Sequence, residues 1–118
     1  MVTDDEILSF LANLQSKHIN GGHAPDYTSV TDLDALGVCR YTHARSASST
    51  YRIGDISVHP GMLRHPILIK GVLWHEFCHH MEWQIKGTAG HGASFRECYE
   101  KQPWYVLLNT IALLFIKI

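Results

Sequence analysis

His75, Glu76 and His79 stand in the order H-E-x-x-H, and the chemistry of that spacing follows from helix geometry. Each residue of an α-helix turns about 100°, so histidines four apart lie about 40° apart, one turn above the other. Two imidazoles so placed can grip one metal ion from the same side. Glu76 points about 100° away from His75, within reach of a water on that ion but badly placed as a ligand. Two ligands and one base are the working parts of a zinc hydrolase of this pattern.

A helix must carry these residues, and the flanking sequence predicts one. Ile67, Leu68, Val72, Leu73, Phe77, Met81 and Ile85 form an apolar helical pattern. Pro66 suits the first position and Gly87 a stop after Lys86, which predicts a helix over 66–86. A catalytic zinc needs a third protein ligand. The long pattern H-E-x-x-H-x-x-G-x-x-H fails, because positions 82 and 85 are Glu and Ile. Glu97 and Glu100 are available from a following helix. His91 is the better candidate, since the turn Gly87–Gly92 is rich in glycine and can fold back sharply over the preceding helix. His80 points about 140° from His75 and Cys78 about 60° to the other side. Neither is expected on the metal, and Cys78 reads as a small packing residue.

The run Leu73-Trp74-His75-Glu76-Phe77-Cys78-His79, followed by His91-Gly92 and Phe95, resembles the SprT-like (Spartan-type) zinc metallopeptidase domain. In that family H-E-x-C-H is followed about a dozen residues later by H-G-x-x-F. Gly54–Pro60 also resembles the strand before the family's active-site helix, and the similarity is strongest over 36–100. The resemblance implies one Zn²⁺ per chain held by His75, His79 and His91, with Glu76 as general base and a protein or peptide as substrate. It also implies work on DNA-bound protein. Against that, the formal charge of −1 offers no basic patch for a nucleic-acid backbone, and no Cys-rich zinc ribbon follows in this sequence.

The remaining elements must position that helix. Thr3 and Glu6 form a capping box, Asp4 and Asp5 complement a helix N-terminus, and Ile7, Leu8, Leu11 and Leu14 make an apolar stripe over 3–18. Asn20-Gly21-Gly22 ends it. Residues 20–35 read as a loop around Pro25 with a short helical turn near 31–36. Residues 37–43 and 51–59 read as two strands joined by Ala44–Ser49, with Gly54 marking a bulge. Residues 55–59 read either as a free strand edge offered to an extended substrate or as an interior strand of a small sheet. Residues 93–102 read as a helix halted by Pro103, with Phe95 under the His91 turn; Arg96 and Tyr99 read as surface or packing residues, with reach to a developing oxyanion as the alternative. The apolar stretch 104–118 reads as a buried helix closing the core. As a helix its 15 residues reach roughly 22 Å, short of a bilayer core of about 30 Å, so no membrane span is expected.

At 118 residues and 46% hydrophobic content, one domain over 1–118 can bury a modest core. The expected class is α+β: a minimal zincin-like domain, with a small antiparallel sheet or hairpin against the H-E-x-x-H helix and flanking helices. Three cysteines at 39, 78 and 98 show no paired spacing and fit a reducing, cytoplasmic compartment. No signal peptide opens the chain. The expected reaction is zinc-assisted peptide hydrolysis, with water acidified towards a pKa of about 7 and its proton taken by Glu76. Two alternatives stand beside it. One is a catalytically silent zinc-binding domain, closed by a fourth ligand from Cys78, Cys98 or a glutamate. The other is a zincin resembling the ImmA/IrrE regulator peptidases, with Glu97 or Glu100 as third ligand.

Overall fold

The computed structural model describes residues 1–19 and 21–116. Its elements run α1 (Asp4–His18), β1 (Asp26–Tyr27), β2 (Gly37–Arg45), β3 (Thr50–Val58), a 3₁₀ turn (Pro60–Arg64), α2 (Leu68–Lys86), α3 (Ala93–Tyr99) and α4 (Pro103–Phe115). The class is α+β, with four helices and a three-stranded sheet of order β1-β3-β2. The expected antiparallel hairpin is present as β2 and β3, in register from Gly37 opposite Val58 to Arg45 opposite Thr50. β1 adds a short parallel strand through Asp26–Asp55 and Tyr27–Ile56, so the sheet is mixed.

α1 starts as its sequence dictates. The Glu6 amide donates to the Thr3 hydroxyl and the Thr3 amide to the Glu6 carboxylate, which satisfies two orphan donors of the first turn. Ile7, Leu11 and Leu14 are buried. Leu8 is not, because it sits about 100° from Ile7 on the helical wheel and faces solvent.

Several expectations fail on tertiary grounds. The stretch 31–36 forms no helical turn, and the order in the preceding loop comes instead from β1. The Thr28 hydroxyl donates to Asp55 at 2.9 Å, fastening that loop to β3. Gly54 makes no bulge, since the β2–β3 register runs unbroken through it. A Cβ there would lie 2.6 Å from Cys39 Sγ and 2.8 Å from His80 Cβ, so the glycine admits α2 instead. Residues 55–59 are not a free edge, because β3 is the central strand. Its outer side is taken by β1 and then by α2, where the Gly54 amide donates to His80 Nδ1 and the Gln84 amide to the Arg52 carbonyl. Among the described residues, β1 and β2 are the edge strands, and β2 is the long one.

α2 is the spine of the molecule. Val72, Leu73, Trp74, Phe77 and Cys78 are all buried, and full burial of each large apolar side chain contributes about 1.5–3 kcal/mol. The helix starts at Leu68, two residues beyond Pro66, and Ile67 and Ile85 at its ends are exposed. Gly87 adopts the left-handed cap that the sequence predicts. Arg52 of β3 completes that end by donating to the carbonyls of Trp83, Gln84 and Ile85.

Pro103 opens α4 rather than merely halting α3, which ends at Tyr99. α4 crosses α2 at Gly71, where a Cβ would collide with the Asn109 amide and the Tyr105 carbonyl. Only one stripe of α4 is covered: Leu108 and Ala112 are buried, while Trp104, Leu107, Leu113, Leu114 and Phe115 are exposed. The tail is thus a surface helix through Phe115, and the expectation of a buried one fails. Residues 117–118 lie outside the described residues. No helix among those described is long and apolar enough to cross a membrane.

His80 is the polar hub of the core. Its Nδ1 accepts from the Gly54 amide and its Nε2 donates to Gln15 Oε1, both at 2.9 Å, joining β3, α2 and α1. Burial pushes its pKa down from 6.5 to about 4. Above pH 6.5 the ring is neutral whether folded or unfolded. As pH falls from 6.5 to about 4 the unfolded chain takes up a proton that the folded chain refuses, so stability is lost across that window. The urea midpoint of the metal-free protein should fall between pH 7 and 4, less steeply in His80→Gln. An equally steep fall in the variant contradicts this role.

Candidate metal centre

α2 presents His75 and His79 one turn apart, with ring centroids 5.0 Å from each other. The chain then reverses through Gly87 at φ 69° and Gly90 at φ 112°, conformations that glycine adopts without a Cβ clash. That reversal returns His91 over the helix, with its Nε2 3.2 Å from His79 Nε2. One ligand atom from each of His75, His79 and His91 lies within 4.8 Å of the other two. A tetrahedral zinc with Zn–N bonds of about 2.0–2.1 Å separates its ligand nitrogens by about 3.3 Å. Donor type and spacing therefore fit such an ion. Glu97 and Glu100 are exposed and stand outside the cluster.

Phe95 is the floor beneath these rings. It stacks on His79 at 4.2 Å and meets His75 and His91 edge-on at 5.0 and 4.8 Å. A buried aromatic restricts the swing of all three imidazoles and excludes water from one side. His79 is pushed down from pKa 6.5 to about 3, chiefly by burial and then by the neighbouring His75 and His91. It is therefore neutral at physiological pH, the form in which imidazole binds a metal. His91 is exposed, so the cluster opens to solvent on that side.

Glu76 is only 5% exposed. Its Oε2 lies 2.7 Å from His75 Nδ1, which directs a ring proton at the carboxylate and leaves His75 Nε2 free as a ligand. The space for Glu76 comes from Gly37 at the start of β2. A Cβ there would stand 2.9 Å from Glu76 Cγ and 3.1 Å from Oε2. Neither Gly37 nor Tyr41, whose hydroxyl is 3.2 Å from His79 Nδ1, is singled out by sequence reasoning. Both reach the site only through the crossing of α2 over β2, which no local pattern encodes. Tyr99 lies beside His75 at 5.3 Å. Arg96 is exposed to solvent.

The cysteines depart from expectation. Cys78 and Cys98 form a disulfide that ties α2 to α3, while Cys39 is free and buried. Their separation of 20 residues spans a helix end, a turn and a second helix, so the pairing appears only once α3 folds back. The bond also removes both sulfurs as candidate metal ligands.

The profile of the SprT-like family matches residues 8–103. The chain belongs to the SprT-like family. No curated protein and no solved structure gives a significant match. The SprT-like match takes in the sheet, α2, the His91 turn and α3, so the whole histidine cluster lies inside it. Residues 1–7 and the part of α4 beyond Pro103 lie outside the match. SprT-like domains are zinc-associated, and the three histidines form a group that could hold a metal ion.

The disulfide holds the helix of His79 to the helix of Phe95, closing a loop of this length for about 2–4 kcal/mol of stability. Cys98→Ser should lower the unfolding free energy of the oxidised protein by that amount, measured by urea denaturation. Equal midpoints with and without the substitution contradict the bridge.

Proposed function

We propose that this SprT-like chain is a zinc-dependent endopeptidase, with His75, His79 and His91 holding the metal and Glu76 serving as general base. The observation that carries the reading is the convergence of three imidazoles on one point with a buried carboxylate beside them. Zinc, when bound, supplies a Lewis acid that polarises a carbonyl and acidifies water. The neutral histidines leave its double positive charge uncompensated. Glu76 is held through Oε2 by His75, so Oε1 is the atom that takes the proton of the attacking water and later returns it to the leaving nitrogen.

The substrate class follows from the sheet. An extended peptide can pair with the free edge of β2, and that strand runs past Glu76 at Gly37 and past His79 at Tyr41. The strand-addition role thus moves from 55–59 to 37–45. Residues 1–118 are read as one working domain acting on protein segments. The silent, closed zinc site is less well supported, because Cys78 and Cys98 are bonded to each other and no glutamate joins the cluster as a fourth ligand. The ImmA/IrrE-like reading loses its third ligand for the same reason. DNA association has only the family behind it, since the net charge of −1 supplies no attraction to a nucleic-acid backbone. A cytoplasmic location remains part of the proposal, and the Cys78–Cys98 bridge is the observation that opposes it.

Glu76→Gln keeps the shape of the side chain and removes its basicity. Zinc content should stay at one per chain, while hydrolysis of an unfolded protein substrate falls by about 10²-fold or more. Hydrolysis at the wild-type rate removes Glu76 from the role of base.

A further inference from the structure

Tyr41 is a surface residue with its polar end turned inward. The residue is 37% exposed, yet its hydroxyl reaches to 3.2 Å from His79 Nδ1. Side chains placed on a strand for packing bury their rings. Here the ring lies outermost, against Trp83 at 5.5 Å, and the oxygen makes the inward contact. Trp83 does not depend on Tyr41 for its own position, because its indole N–H donates to the Thr42 carbonyl at 2.9 Å.

The two nitrogens of His79 have separate partners. Nε2 faces His91 Nε2 and is the atom available to a metal. Its lone pair is free only if the ring proton of neutral His79 resides on Nδ1. In that tautomer the Tyr41 oxygen accepts the Nδ1 proton. It also fixes the rotation of the ring about its Cβ–Cγ bond. The backbone of Gly90 borders both the Tyr41 hydroxyl and the His79 ring, and Gly90 immediately precedes His91. One phenol oxygen therefore stands where the sheet edge, the ligand helix and the third-ligand turn meet.

We infer that Tyr41 is a positioning residue for the metal centre, holding the His79 ring in its metal-binding orientation and bracing the turn that carries His91. This inference rests on the three-histidine reading above. Outer partners of ligating histidines typically govern about 10- to 100-fold in metal affinity, and Tyr41 is the side chain placed to do so for His79. His75 has its own such partner in Glu76. The two buried or half-buried helical ligands are thus oriented by different groups, one a carboxylate on the same helix and one a phenol on the sheet.

Tyr41→Phe removes the oxygen and keeps the ring. Zinc affinity, measured by competition with a chromogenic chelator, should weaken about 10- to 100-fold, with the melting temperature of the metal-free protein unchanged. NMR of the metal-free protein should show the His79 ring held in one rotamer in the wild type and averaging between rotamers in the variant. Trp83→Phe, which disturbs the same aromatic cluster but spares the hydroxyl, should leave both readouts as in wild type. Wild-type zinc affinity and ring order in Tyr41→Phe overturn the positioning role and leave the three-histidine site standing. Absence of zinc binding in the wild type overturns both.

Discussion

The structure depends on how closely α2 can approach its neighbours. Three glycines set that distance: Gly54 beneath His80, Gly37 beneath Glu76, and Gly71 beneath the backbone of α4. At each, a single methyl group would meet protein atoms at less than 3.0 Å, and overpacking of that kind costs about 1–3 kcal/mol. Two of these glycines lie on the sheet and one on the helix, so the tight fit is built from both sides. Because α2 sits so low on the sheet, its polar residues are enclosed as well. Gln15 and Gly54 satisfy His80, Phe95 and Tyr41 meet His79, and Glu76 has His75. Among the described residues no buried side-chain polar atom lacks a partner.

That enclosure also sets the electrostatics of the histidine cluster. Imidazoles crowded beside an aromatic floor cannot all carry a proton, since burial and mutual repulsion both act against the charged form. His79, the most deeply placed of the three, has its pKa pushed to about 3. That ring is neutral at physiological pH, and the shape of the cluster is held by packing. Phe95 and the Cys78–Cys98 bond contribute to that packing from α3, and Tyr41 from β2. His91 is exposed, so the cluster opens to solvent on the side of its turn.

Much of this was legible in the residues. The capping box at Thr3, the left-handed stop at Gly87, the β2–β3 hairpin and the return of His91 all rest on local chemistry that a sequence displays directly. What escaped was whatever depends on two elements meeting. Gly54 reads as a bulge until α2 is laid over it, and the tail reads as buried until its crossing at Gly71 proves to cover a single stripe. Cys78 reads as a packing residue because its partner lies beyond a helix end and a turn. β1 is two residues long, too short for periodicity, yet it converts β3 from an edge into a centre. Tyr41 carries no signal at all, since its role exists only where a strand residue and a helix residue face each other.

The central claim is that one zinc ion is held by three histidines, the third delivered by the Gly87–Gly92 turn. Elemental analysis of purified wild type beside His91→Ala tests it most directly. One zinc per chain in the wild type, largely lost in the variant while the fold is kept, is the result that the three-histidine centre predicts. Zinc retained at full stoichiometry and affinity in His91→Ala, or absent from the wild type, contradicts it.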